Sequence, residues 1–86
     1  MKCYNVMVLL VDNREENAKV LQDILTESGC LIKARLGLHE AGEVCSDEGL
    51  IILHLTGEEA KLVELESKLN SVNGIVASRS KVCKDW

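Results

Sequence analysis

Hydrophobic residues follow two patterns in four short segments of the chain. Residues 6–11 and 50–55 are apolar at nearly every position, which is typical of central strands with both faces covered. Residues 31–38 and 75–82 alternate between apolar and polar positions, as edge strands do. The pattern therefore predicts four strands, two central and two at the edges.

Two segments with helical periodicity separate these strands. Asn13 with Glu16 predicts a capping box at the first helix, and Thr56 with Glu59 predicts one at the second. Gly29 is predicted to end the first helix in a left-handed conformation, and a turn is expected at residues 73–74. Both helices carry an apolar stripe, formed by Ala18, Leu21, Ile24, Leu25 and Ser28 in the first and by Leu62, Leu65 and Leu69 in the second.

The element order is βαββαβ, which predicts an α+β, ferredoxin-like fold. In that arrangement the four-stranded antiparallel sheet has the order 4-1-3-2, and both helices cover one face. The two fully apolar segments fall in the middle of this sheet, where the fold needs them. Residues 1–86 are expected to form a single domain, since a chain of this length has room for one core.

Charge and aromatic content argue against a nucleic-acid partner. The chain has 14 acidic and 10 basic residues and a formal net charge of −4, which would repel phosphate backbones. An RNA-binding sheet stacks bases on exposed aromatic residues, yet Tyr4 and Trp86 are the only aromatic residues of this sequence. We expect no direct nucleic-acid binding.

The sequence contains no predicted membrane span. Residues 6–11 form the longest apolar run, whereas about 20 residues are needed to cross a bilayer, and this run lacks the basic flank and cleavage site of a signal peptide. We therefore expect no membrane partner and a cytoplasmic location.

Four cysteines lie far apart in the sequence. Cys3, Cys30, Cys45 and Cys83 form no C-x-x-C pair of the kind used in zinc, redox or cluster-binding motifs. This spacing favours four reduced structural thiols.

No catalytic constellation is recognisable. We find no nucleophile with a base and no phosphate-cradling loop. Arg14 follows the first strand as in acylphosphatases, but the glycine-rich loop of those enzymes is absent. A hydrolase of that type is disfavoured, and we predict that the protein is not an enzyme.

Metal binding is an alternative. His39 and Cys45 lie with Glu43 and Asp47 in the connection between the second and third strands, and all four residue types can bind metals. Their spacing matches no known site, so a polar hairpin is the preferred interpretation of these residues. His54 interrupts an apolar strand, either as a hydrogen-bonded histidine at an interface or as a further ligand. The sequence identifies no cofactor.

Short motifs along the chain resemble one family. Residues 11–15, 23–29, 35–38, 68–70 and 73–76 are similar to the regulators proposed for the iron-only hydrogenase system. That family resembles ACT-like domains and the C-terminal domain of nickel regulators. The resemblance implies a ligand-binding, ferredoxin-like regulatory module that assembles into dimers or tetramers, with a small-molecule effector or a partner protein.

The resemblance also carries Gly29, Arg35 and Gly37 as family positions. A left-handed helix end is a reason for glycine at position 29, and close approach at a strand end is a reason at position 37. One departure concerns the following loop, where His39 and Glu40 replace the proline and aromatic residue of relatives. A ligand role for this loop does not carry over by analogy.

The sheet face opposite the helices is predicted to be an interface between copies of the chain. Met7, Leu9, Ile52 and His54 are assigned to that interface, because residues of both parities are apolar on the central strands. Lys33 and Arg35 have the parity opposite to the apolar residues of their strand. We place them at one rim of the open face, with Arg79 and Lys81 flanking it on the fourth strand. These charges would either tune the register of the assembly or, together with Gly37, bind an anionic effector.

Overall fold

The computed structural model describes residues 1–12, 14–38 and 49–85 of the 86-residue chain. Its elements in chain order are β1 (Lys2–Val11), α1 (Arg14–Glu27), a short 3-10 helix (Gly29–Leu31), β2 (Ile32–Leu38), β3 (Gly49–Leu55), α2 (Glu59–Asn70) and β4 (Ile75–Lys84). Asn13, whose capping role was predicted, lies outside the described residues.

The four strands form one antiparallel sheet in the order β2-β3-β1-β4. This order is the predicted 4-1-3-2 arrangement read from the other edge, so the ferredoxin-like fold is confirmed. No helix in the described part of the chain is long and apolar enough to cross a membrane.

The hydrophobic core lies between the sheet and the two helices. Each central strand turns alternate residues toward the helices, and the predicted stripe of α2 is buried completely or nearly so. Ala18 and Ser28 are not part of the core, although the periodicity assigned them to the stripe of α1. The buried cluster consists of Met7, Leu9, Val11, Leu21, Ile24, Leu25, Ile51, Leu53, Leu55, Leu62, Leu65, Leu69, Ile75 and Ala77.

Two predicted helix ends differ from the structure. The residue that caps α2 is Glu58, and no side-chain hydrogen bond caps this helix, so the capping box of Thr56 and Glu59 is wrong. Gly29 does not adopt a positive φ. The turn before β4 is as predicted: Gly74 has φ +92°, and its carbonyl accepts a hydrogen bond of 2.7 Å from the Asp12 amide.

A β-bulge reverses the predicted orientation of β2. Ile32 pairs with Leu55, but the next pair joins Ala34 to His54, so Lys33 is the extra residue. An extra residue moves every later side chain to the opposite face. Arg35 therefore lies on the helix-covered side, which corrects its predicted place at the rim of the open face.

The structure contains one disulfide among its described cysteines, between Cys3 on β1 and Cys83 on β4. These residues face each other in the strand register, with their Cα atoms 4.0 Å apart. The prediction that both are reduced is therefore wrong. Sequence spacing could not reveal the pair, because 80 residues separate the two cysteines. Cys30 is a free, exposed thiol.

Candidate interaction surface

The sheet face opposite the helices carries five rows of cross-strand neighbours. Directly paired residues share a face in an antiparallel sheet. We call this surface the open face; its described side chains are Lys2, Tyr4, Val6, Val8, Leu10, Ala34, Leu36, Leu50, Ile52, His54, Val76, Ser78, Ser80, Val82 and Lys84. The charged side chains in this set are Lys2 and Lys84, which face each other in the row at one end of the surface.

Large apolar side chains of the open face are accessible to solvent. Leu10 and Leu36 are 56% and 55% exposed, and Val76 and Val82 are more exposed still. Ile52 is half-buried between Val8 and Leu36, its partners on the neighbouring strands. A continuous apolar surface of this kind on a small protein is typical of an association site.

His54 is the imidazole of the open face. It is half-buried and pairs with Val6 on β1 and Ala34 on β2. Its ring lies 5.9 Å from the ring of Tyr4, centroid to centroid, in a tilted arrangement. Burying the His54 imidazole without a hydrogen bond would be costly. A partner that packs on this row is therefore expected to align so that one of its polar groups meets His54.

The structure corrects half of the predicted interface set. Ile52 and His54 lie on the open face, as assigned. Met7 and Leu9 are fully buried in the core, because their register places them on the helix-covered side. Val6, Val8 and Leu10 occupy the open face in their place. The alternation of β4 is the sequence signal that could have identified the open side of the sheet, because Ser78 and Ser80 alternate with the buried Ala77.

The covered side holds a charged cluster around Arg79. Arg79 and Lys81 share the parity of buried Met7, so the prediction that they flank the open face is wrong. The Arg79 side chain is 12% exposed; its guanidinium donates a hydrogen bond of 2.9 Å to Asn5 Oδ1 and forms a bidentate ion pair with Glu59. The Arg79 amide donates to Glu66 Oε2 at 3.1 Å. Hydrogen bonding to Arg79 lowers the pKa of Glu59, and the same contact raises the pKa of Arg79. The cluster joins α2 to β1 and β4.

The predicted effector residues do not form one site on the open face. Arg35 Nη1 donates a hydrogen bond of 2.9 Å to Gln22 Oε1 on α1. Gly37 pairs with Ile51, a core residue, and a Cβ at this glycine would meet nothing within 4 Å, so close approach does not require glycine there. Lys33 is the exposed residue of the bulge.

The metal-binding hypothesis falls largely outside the described structure. His39 and Cys45 lie in residues 39–48, which the structure does not describe. Within the described ranges, no group of three or more His, Cys, Asp or Glu residues could bind a metal. His54 is the described member of the predicted set.

Two clefts lie away from the middle of the open face. The first, of about 380 Å³, separates the end of α1 from α2, and the ion pair of Lys68 with Glu27, at 2.8 Å, lies in it. Glu27 raises the pKa of Lys68 through this contact. The second, of about 330 Å³, lies where β1 ends and β4 begins, beside Leu10, Gly74 and Val76. It extends the apolar surface of the open face toward the Gly74 turn.

A sequence relative and several solved structures are similar to this chain. A protein of Saccharolobus solfataricus described as "Putative nickel-responsive regulator" is 33% identical over 76 residues. The match covers 88% of this chain but 53% of the relative, so the chain spans about half of that protein's length. No family model matches the chain.

The structural matches support the fold. An uncharacterized protein from Thermotoga maritima superposes with a TM-score of 0.81 at 18% identity, over 95% of this chain and 100% of that protein. A "putative PII-like signaling protein" from Thermus thermophilus has a TM-score of 0.61 at 13% identity, over 93% of this chain and 87% of its own. At these identities the likeness establishes a shared ferredoxin-like architecture.

Proposed function

We propose that the chain is a non-enzymatic regulatory or ligand-sensing module that acts as a homodimer or tetramer assembled through the open face. The observation that carries the proposal is the largely apolar character of that face, whose described charges, Lys2 and Lys84, are confined to the row at one end. A sheet face that stays in water normally carries polar side chains at alternate positions. The central strands instead place Val6, Val8, Leu10, Leu50 and Ile52 there.

The regulatory role is supported by the names of similar proteins. The Saccharolobus relative is described as a regulator and the Thermus structure as a signalling protein. The motif resemblance noted in the sequence makes the iron-only hydrogenase system the proposed target of regulation. The input would be a small-molecule effector or a partner protein.

Self-association can be tested with the unmodified chain. Sedimentation across a dilution series should give the mass of a dimer or tetramer at micromolar concentration. Hydroxyl-radical footprinting at high and low concentration should then protect Val8 and Leu36 in the assembly. Val20 and Val63, which are 43% and 49% exposed on the helices, serve as controls and should be labelled equally at both concentrations. A monodisperse monomer at high concentration would contradict the proposal.

The second candidate function is metal sensing, and the name of the Saccharolobus relative favours it. His54 on the open face, with His39 and Cys45, would bind a borderline metal such as Ni²⁺ or Zn²⁺ through neutral imidazole and thiolate. Calorimetric titration of untagged protein should then give stoichiometric binding that weakens in acid and in His54→Gln. Absence of binding by both metals would eliminate this candidate.

The non-enzymatic assignment has its own test. Acyl phosphates are the substrates to try, because Arg14 follows β1 as in acylphosphatases. We expect no turnover above the uncatalysed rate. Turnover by the wild type that disappears in Arg14→Ala would contradict the assignment.

A further inference from the structure

β1 and β4 extend beyond the rest of the sheet. β4 pairs with β1 from Lys2 to Val11, whereas β3 begins to pair with β1 at Asn5. Residues 2–4 and 82–84 therefore form a two-stranded ribbon, which we call the arm. None of the buried core residues belongs to the arm, and an isolated two-stranded ribbon is at best marginally stable in water.

The Cys3–Cys83 disulfide lies within the arm. Cys83 is exposed and Cys3 is half-buried, so an external thiol can reach the bond. Exposed disulfides are the ones that typically exchange readily with thiols, in contrast to buried structural ones. The adjacent pair, Tyr4 and Val82, belongs to the open face, so the covalent bond is next to one end of the candidate interaction surface.

We propose that the Cys3–Cys83 disulfide is a redox-sensitive clamp that holds the arm in its paired conformation. A dithiol reductant, either a small molecule or a thioredoxin-class protein, supplies the electrons. Its thiolate attacks Cys83 Sγ, the Cys3–Cys83 bond breaks, and Cys3 leaves as a thiolate that takes a proton. The second thiol of the reductant then attacks the mixed disulfide and releases Cys83. Two electrons and two protons are transferred, and the reductant leaves as a cyclic disulfide.

Reduction removes the covalent restraint from a ribbon that has no core of its own. The arm then frays, and Tyr4 loses its fixed position beside His54, 5.9 Å away between ring centroids. The redox state thus determines whether the end of the open face is ordered. An oxidant of the disulfide class reverses the change. This clamp operates in a single copy of the chain and does not depend on assembly.

The test uses a Cys30→Ser, Cys45→Ser background, in which the clamp cysteines are the only remaining thiols. Oxidised protein is incubated with dithiothreitol without denaturant, alkylated with N-ethylmaleimide and weighed by mass spectrometry. The oxidised form should take up no label, and the reduced form should take up two. Failure of the disulfide to form in oxidised glutathione, or failure of dithiothreitol to reduce it in the folded protein, would overturn the proposal.

Hydrogen–deuterium exchange on the two redox forms tests the consequence. At short labelling times the amides of residues 2–4 and 82–84 should exchange at least ten-fold faster after reduction, while those of α2 should stay protected at the same times in both forms. The control is a variant that carries Cys3→Ser and Cys83→Ser in the same background. Its arm should exchange like that of the reduced form, with or without dithiothreitol. Equal exchange of the arm in the oxidised and reduced forms would refute the clamp, whatever the oligomeric state.

Discussion

A lysine at position 8 should dissociate the proposed assembly. Val8 is 39% exposed and lies on the open face, between Ile52 and Ser78. Val20 on α1 is a matched control, because it is the same residue type with a similar exposure of 43% and belongs to the helix side of the molecule. The comparison of Val8→Lys with Val20→Lys separates an effect of the open face from a general effect of charge.

The magnitude follows from the exposed apolar side chains of the open face. Burying a large apolar side chain completely is worth about 1.5–3 kcal/mol. Six large apolar side chains of the open face are about half exposed in the single copy, so burying the rest of each one would add about 1 kcal/mol. Two copies together gain about 12 kcal/mol, against an association cost of about 4–15 kcal/mol. At the low end of this cost about 8 kcal/mol remains, which corresponds to a dissociation constant of about 1 μM. The six are Tyr4, Val8, Leu10, Leu36, Val76 and Val82.

Val8→Lys acts twice in a symmetric pair. Each copy loses about 1 kcal/mol of apolar burial and adds the desolvation of an ammonium group, which costs several kcal/mol. The affinity should therefore fall at least about a thousand-fold. Sedimentation equilibrium gives the two dissociation constants, and circular dichroism checks that both variants are folded. Wild-type affinity in Val8→Lys, or an equal loss in Val20→Lys, would refute the reasoning.

Three further predictions concern the stability of the fold. Arg79→Met should lower the free energy of unfolding in urea by about 1–2 kcal/mol at neutral pH. The pKa of Glu59 in the folded protein lies below its ordinary value of 4.5. The stability difference between wild type and variant should therefore be constant above pH 4.5 and shrink in more acidic solution, as the Glu59 carboxylate is protonated. An undiminished difference in acid would contradict the ion-pair explanation. Reducing the Cys3–Cys83 disulfide, whose cysteines are 80 residues apart, should lower the free energy of unfolding by about 4–5 kcal/mol according to the loop-entropy relation. Urea unfolding with and without dithiothreitol measures this difference, and an unchanged midpoint would contradict the prediction. Gly74→Ala should cost about 1–3 kcal/mol in thermal unfolding, because φ is +92° and the new Cβ would lie 2.5 Å from Asn17 Nδ2; wild-type stability would show that the turn accommodates a side chain.

The sequence predicted the sheet order because strand burial depends on composition. Fully apolar segments became central strands and alternating segments became edge strands, as the ferredoxin-like topology requires. The same feature concealed which face of a central strand is covered. When both parities are apolar, Met7 and Val8 are equivalent in the sequence, and only packing against the helices distinguishes them.

The interpretation of β2 failed for a different reason. Its alternation was detected correctly, but period-two patterns assign faces only if the strand is regular. The bulge at Lys33 reverses the assignment of Arg35, and nothing in the local sequence marks the extra residue. Glu59 gives a parallel case: the local motif predicted a capping box, whereas Arg79, distant in sequence, binds the carboxylate.

The distribution of charge over the two faces bears on how strong the assembly is. On β4 the side chain of Arg79 lies on the covered side and is neutralised there by Glu59, while Ser78 and Ser80 lie on the open face. Small hydroxyl groups lose little on burial if they find a partner, yet add little apolar area. Ser80 interrupts the apolar surface in the row of Val6 and His54, and Ser78 does so in the row of Val8 and Ile52. The open face thus has its described charges, Lys2 and Lys84, at one end, and among its described side chains Tyr4 alone is a large aromatic anchor, whereas very tight interfaces are typically rich in such anchors. Such an interface has a stability near the balance point between assembled and free copies, which is the regime in which an effector can shift the population by a modest difference in affinity.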